Sequence, residues 1–237
     1  MKHKRSSGRL PAVMELAVFL LAVVAAATAA VGARAAGQAA GQAAGETPEK
    51  LSVRLKTMAP DAQVAHLQGL IAGAPKGKAD AHLYFYLGNA FYALEQYDSA
   101  VAQYEHAVAI DTTYAKAYVN MGIAHDTAGK ADLAQFAYEK AIEANPRDVL
   151  AYCHLGYNHY ARGRHEKAMA CYEKALAIDP NSAQAHYNLG LAFANAKIFN
   201  EALIEWQKVI ALDPDGDIGK MASENVELIK KYMELDE

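Results

Sequence analysis

The chain is poor in the groupings that chemistry needs. It has two cysteines among 237 residues, Cys153 and Cys171, so it can form at most one internal disulfide. No Cys-x-x-Cys-His haem site occurs. Nor does a glycine-rich phosphate loop, a His-Glu-x-x-His pair or a Gly-x-Ser-x-Gly elbow. No catalytic residue and no cofactor is assigned, and the reading is non-enzymatic. No cluster of lysine and arginine stands out either. The net charge is −4, and residues 1–35 hold five bases (Lys2, Lys4, Arg5, Arg9, Arg34) against one acid, Glu15. The remainder is therefore more acidic than the whole. A phosphate-binding surface should be basic, so nucleic acid is excluded as the partner.

What is present begins with a basic start and a charge-free apolar run over residues 16–33, densest over 16–24. Ala33-Arg34-Ala35 then offers a small-x-small cleavage site, with Ala27-Thr28-Ala29 as a rival. The segment reads as a secretory signal. The alternative is an uncleaved transmembrane anchor, because the run is near bilayer-spanning length. Either way the basic residues stay inside and the rest lies across the membrane, in the periplasm of a bacterial cell. No cysteine follows the run closely, so a lipoprotein-type lipid anchor is not supported. Residues 36–46 are mostly alanine, glycine and glutamine, a flexible tether that cannot build a core.

Residues 47–80 read as a helical pair. Thr47 can cap, Pro48 suits a first helical position, and Pro60 opens a second segment with Val64, Leu67, Leu70 and Ile71 apolar. This pair is expected to cover the open end of the array that begins at residue 81.

Residues 81–216 repeat one pattern four times, in windows 81–114, 115–148, 149–182 and 183–216. Position 8 is glycine (Gly88, Gly122, Gly156, Gly190) and position 20 alanine (Ala100, Ala134, Ala168, Ala202). Position 24 is aromatic (Tyr104, Tyr138, Tyr172, Trp206), and position 27 small (Ala107, Ala141, Ala175, Val209). Position 32 is Pro146, Pro180 or Pro214, with Thr112 the exception. Bulk at positions 4, 7 and 11 makes one helical stripe, and the proline stops a second helix. Each window therefore reads as helix, turn, helix. A glycine inside a helix costs about 1 kcal/mol against alanine and wants a packing reason. The expectation is that Gly156 lets Ala168 of the second helix approach. One pair cannot bury its own stripe, but a stack can.

This period, with its glycine, alanines and terminal proline, resembles the tetratricopeptide repeat (TPR). The resemblance implies an all-α, right-handed α-solenoid of stacked antiparallel helix pairs. Residues 217–237 supply the capping helix such a stack needs, with a polar outer face. The resemblance also implies a concave groove lined by positions 2, 5, 6, 9, 12 and 13 of each first helix. Carried onto this chain, the candidate partner-binding residues are Phe85, Asn89, Tyr92, Asn120, Ile123, His154, Tyr157, Tyr160, Tyr187, Asn188 and Leu191. Amides and aromatic faces suit an extended peptide or a partner helix. The dicarboxylate-clamp variant of the family is rejected. Asn89 and Asn120 match its asparagines, but Phe85, Leu150 and His154 stand where lysine, lysine and arginine are expected.

The histidines on the grid mostly fall in packing slots: His125 and His159 at position 11, His186 at position 4, His165 at position 17. Cys153 and His154 lack a third ligand, so no metal site is assigned. Cys153 and Cys171 lie at similar height on antiparallel helices of one repeat. A disulfide and two separate small apolar residues both fit, and the second is preferred. The functional expectation is a protein-binding scaffold or adaptor of the cell envelope, touching membrane only through its N-terminal segment. The alternative is a self-associating, homo-oligomeric platform without a groove ligand.

Overall fold

The computed structural model describes residues 47–75 and 79–235. The segments read as signal or anchor (1–35) and as tether (36–46) lie outside the described residues. The chain divides into two compact units, at Ala79 and Asp80.

The first unit holds α1 (Pro48–Leu55) and α2 (Pro60–Gly73), each with proline in its first turn. Thr47 caps α1 through its side chain. Leu51, Leu55, Leu67 and Leu70 are buried. The Gln63 amide on α2 donates to the carbonyls of Leu55 and Met58, at 2.9 and 3.0 Å, and so ties α2 to the end of α1.

The second unit holds nine helices among the described residues. They are α3 (Ala81–Ala93), α4 (Tyr97–Ile110), α5 (Ala115–Thr127), α6 (Ala131–Ala144), α7 (Val149–Ala161), α8 (His165–Ile178), α9 (Ala183–Asn195), α10 (Phe199–Leu212) and α11 (Asp217–Leu235). Side-chain oxygens of Asp80, Asp148 and Ser182 cap α3, α7 and α9. Position 15 of every window sits at positive φ: Glu95 at 60°, Gly129 at 74°, Gly163 at 70°, Lys197 at 62°. The next N–H then turns back to the carbonyl of position 11 in all four (Gln96 to Phe91, Lys130 to His125, Arg164 to His159, Ile198 to Phe193). That bond closes each first helix and reverses the chain into the second.

The core repeats with the sequence. Ala100 and Tyr104 cluster with Met121, Ala134 and Tyr138 with Leu155, Ala168 and Tyr172 with Leu189, and Ala202 and Trp206 with Val226. The second helix of one pair thus meets the first helix of the next. A fully buried side chain of this size contributes about 1.5–3 kcal/mol. The position-8 glycine has a different partner from the one expected. A Cβ on Gly156 would run into the ring of Tyr172, and likewise Gly88 into Tyr104, Gly122 into Tyr138 and Gly190 into Trp206. The glycine receives its own pair's aromatic ring, whose edge atoms lie nearest to it, not the position-20 alanine.

The last helix changes register. In the stack, equivalent packing places recur 34 residues apart: Ala151 corresponds to Ala185, and Leu155 to Leu189. Their counterparts on α11 are Ala222 and Val226, 37 residues after Ala185 and Leu189. α11 therefore starts one extra turn early. Gly219 in that turn is buried against the Asp213 carbonyl, where a Cβ would not fit. The faces of α11 that would receive another pair carry Glu224, Glu227, Lys230 and Lys231, all exposed.

Candidate functional site

First helices touch from pair to pair: α3 with α5, α5 with α7, α7 with α9, and α9 with α11. Second helices make no comparable contact with one another. The row of first helices is therefore the inner side of the curve, and its outward-facing positions line a groove.

The candidate residues divide by position. Phe85 and Tyr187, at position 5, lie between repeats. The Phe85 ring packs on Tyr104 and Tyr114, 6.1 and 5.0 Å between centroids. Tyr187 is buried with Val209 and Ala222, and its hydroxyl accepts from the Asn225 amide at 3.2 Å. Val119 and Cys153 fill the same slot, each between two alanines. Position 5 is small-against-large packing, and the ring that reads as groove lining is core.

The asparagines satisfy one another. Asn89 Oδ1 accepts from the Tyr104 hydroxyl and from Asn120 Nδ2, both at 2.8 Å. That leaves Nδ2 of Asn89 and Oδ1 of Asn120 outside the pair, on half-buried side chains. Asn188 is buried and accepts from Gln184 at 3.0 Å. The Tyr92 hydroxyl is 3.2 Å from that of Thr127.

The third repeat is different. Tyr157 is 51% exposed and Leu150 54%, seven residues apart on the same side of α7. Between them His154 stacks on the Tyr138 ring, 5.6 Å away and 14° from parallel. Burial holds the His154 imidazole below its ordinary pKa. Tyr160, beside them, packs edge-on against His165 at 5.5 Å. Ile123 and Leu191, at position 9 like Tyr157, are half-buried.

Two further polar residues lie under this surface: Asp126, which falls on groove position 12 of the second repeat, and Asn158, at position 10, which the groove positions do not include. Asp126 Oδ2 accepts from the Tyr138 hydroxyl at 3.0 Å, and Oδ1 from Asn158 Nδ2 at 2.7 Å. The same Asn158 amide donates to the Ala131 carbonyl at 3.0 Å. Asn158 is 2% exposed, and its Oδ1 has no hydrogen-bond donor. Position 10 is alanine in the other three windows (Ala90, Ala124, Ala192), so this one departure was the available signal. Burial, then the Asp126 charge, pushes the Tyr138 phenol well above its usual range.

The remaining histidines and cysteines are structural in position. His159 is buried and His125 half-buried. His165 is more exposed than its sisters Tyr97 and Phe199, but its ring packs edge-on against Tyr160, in line with the packing expected. His186 is buried, with Nδ1 2.5 Å from Glu205 and Nε2 donating to the Pro180 carbonyl at 2.9 Å. Among the described residues no group of three His, Cys, Asp or Glu could hold a metal. Both cysteines are free. Cys153 faces Ala185 of the next repeat, whereas Cys171 faces the Ala134–Tyr138 cluster of the previous one. Burial pushes their thiols up, to about 12 and about 11.

Helix pairs stacked with one repeating contact set, and a groove along the first helices, define an α-solenoid of interaction-repeat type. Family comparison agrees: residues 88–129 and 156–196 match a TPR-repeat family, and residues 115–148 and 183–215 match two further tetratricopeptide-repeat families. These matches show tetratricopeptide repeats over residues 88–148 and 156–215. A search of curated proteins returns no match. Solved structures of the same fold include MamA, at 24% identity and a TM-score of 0.58, over 72% of this chain and 96% of that one. MamA 41-end from Desulfovibrio magneticus RS-1 is 22% identical with a TM-score of 0.59, over 70% and 93%. YrrB, a TPR protein with an unusual peptide-binding site, is 20% identical with a TM-score of 0.54, over 74% and 89%. Among the described residues no helix is long and apolar enough to cross a membrane.

Proposed function

We propose that the protein is a non-enzymatic adaptor that captures a peptide segment or helix of another protein on the inner face of its repeats. One observation carries this reading: Leu150 and Tyr157 stay half-exposed on the inner side of α7, while Asn89, Ile123 and Leu191, the sisters of Tyr157, are hydrogen-bonded or packed. Apolar and aromatic area left open in a concave surface is what a bound segment covers. The YrrB likeness supports it, because that protein of the same fold has a peptide-binding site. Residues 1–35, read as signal or anchor, put the adaptor across a membrane, in the cell envelope.

The test is affinity capture from an extract of the source cells, with the parent and with a Leu150→Ser, Tyr157→Ala variant of unchanged circular dichroism. A heterologous protein held by the parent and lost by the variant supports capture on this face. If only the chain itself comes down, the self-associating platform replaces it. Export is checked separately by fusing residues 1–35 to alkaline phosphatase, which is active only outside the cytoplasm. An inactive, well-expressed fusion rejects the envelope assignment.

A further inference from the structure

The register shift of α11 has a result on the inner face. With Ala222 and Val226 in the places of Ala185 and Leu189, Met221 takes position 2 and Leu228 position 9 of a fifth first helix. Both are exposed, Met221 at 47% and Leu228 at 67%, although the neighbouring faces of the same helix are charged. Position 9 then forms an apolar row across four helices: Ile123, Tyr157, Leu191 and Leu228. Packed helices lie about 8–10 Å apart, so the row steps by about that distance. A segment in the polyproline II conformation rises about 3.1 Å per residue with three residues per turn, so every third side chain shares one face and meets one step of the row.

At the Ile123 end of the row, one turn along α5, lies Asp126. Its oxygens accept from two neutral donors, Tyr138 and Asn158, and among the described residues no lysine or arginine pairs with it. A half-buried carboxylate held by neutral donors still lacks a countercharge. The buried Oδ1 of Asn158, on the amide that binds Asp126, is a further acceptor without a donor. Several acceptors around one anion suit a guanidinium, which has five N–H donors in a planar fork, better than an ammonium.

We propose that the inner face takes a peptide segment that gives an arginine to Asp126 and lays apolar side chains, one every third residue, along Tyr157, Leu191 and Leu228. This rests on the groove reading and names the chemistry of its ligand.

The probes are fluorescein-labelled peptides of about twelve residues with arginine at either end and leucine or phenylalanine at every third position. Counterparts carry glutamine, lysine or glutamate in place of arginine, or the apolar residues respaced. Binding to the full chain is read by anisotropy. The arginine peptide should bind about tenfold more tightly than the glutamine one, with Asp126→Asn removing the difference. Leu228→Ser should weaken both by the same factor. Equal binding of arginine and glutamine peptides, or an arginine preference that survives Asp126→Asn, overturns the proposal. So does Leu228→Ser without effect. If Asp126→Asn loses helicity, the parent decides: the arginine preference should shrink between about 50 mM and about 500 mM salt, and a salt-independent preference rejects the pair. Peptide binding that ignores Asp126 and Leu228 but is lost on Tyr157→Ala sinks this proposal and leaves groove capture standing. Absence of any peptide binding, together with failed capture, sinks both.

Discussion

The ring of Tyr172 occupies the space that a side chain on Gly156 would need, and three sister pairs repeat the relationship. The ring, not the neighbouring alanine, explains a glycine in mid-helix. Gly156→Ala should therefore destabilise the protein by about 1–3 kcal/mol, although alanine is the better helix former. Urea unfolding of the single variant and of Gly156→Ala with Tyr172→Leu checks this. The smaller partner should recover part of the loss, and a purely additive pair would contradict the contact.

Glu95 and Lys197 are held in a left-handed backbone that Gly129 and Gly163 adopt freely. Glu95→Gly and Lys197→Gly should each leave stability unchanged or raise it by up to about 1 kcal/mol, and Gly129→Val should lower it by about 1–2 kcal/mol. The opposite signs at equivalent positions can be read from thermal melts of the three variants.

Trp206 is the chain's one tryptophan, 2% exposed, with its indole N–H donating to the Tyr187 carbonyl at 3.2 Å. α11 covers it through Val226. Removing residues 217–237 should shift tryptophan emission to the red and bring on aggregation, since Tyr187, Val209 and Trp206 lose their cover together. Unchanged emission would show that α11 does not close this end of the core.

Stability should fall on both sides of a plateau. His125, His154 and His159 have pKa values held down, by burial first. Their contribution is fully present above the unfolded histidine pKa of about 6.5 and is lost as pH falls below it. Cys153 and Cys171 have thiols pushed up to about 12 and about 11. Their contribution is present below the unfolded thiol pKa and is lost as pH rises through the alkaline range between. Denaturation midpoints from pH 4 to pH 11 check both limbs, and His159→Gln should flatten the acid one. At pH 8 the native thiols should react with Ellman's reagent far more slowly than in denaturant.

Much of this fold was legible because the period fixes which residues share a face. Glycine, alanine and aromatic at positions 8, 20 and 24 define the pairs and their stacking. Periodicity does not fix height along a helix, so it points to the alanine as the glycine's neighbour where the ring in fact lies. The groove was legible as a set of rows, less so as a surface. Asn89 and Asn120 look like two free amides, and only the stack brings them 2.8 Å apart across 31 residues of chain. Tyr187 looks like groove lining because nothing in its own repeat shows that α11 covers it. The shift of α11 was hidden for the same reason: apolar residues spread over a broad side of the helix, and which part turns inward depends on Trp206 and Val209.

The three-residue offset of α11 also fixes how this array can grow. A copy of the repeat inserted before residue 217 meets surfaces that already match its own. A copy appended beyond α11 meets Glu227 where the stack has glycine and Lys230 where it has a phenylalanine or histidine ring, with Glu224 and Lys231 charged beside them. Lengthening by duplication is open in the interior and closed at this terminus, so the number of units can change without the chain polymerising through its tail.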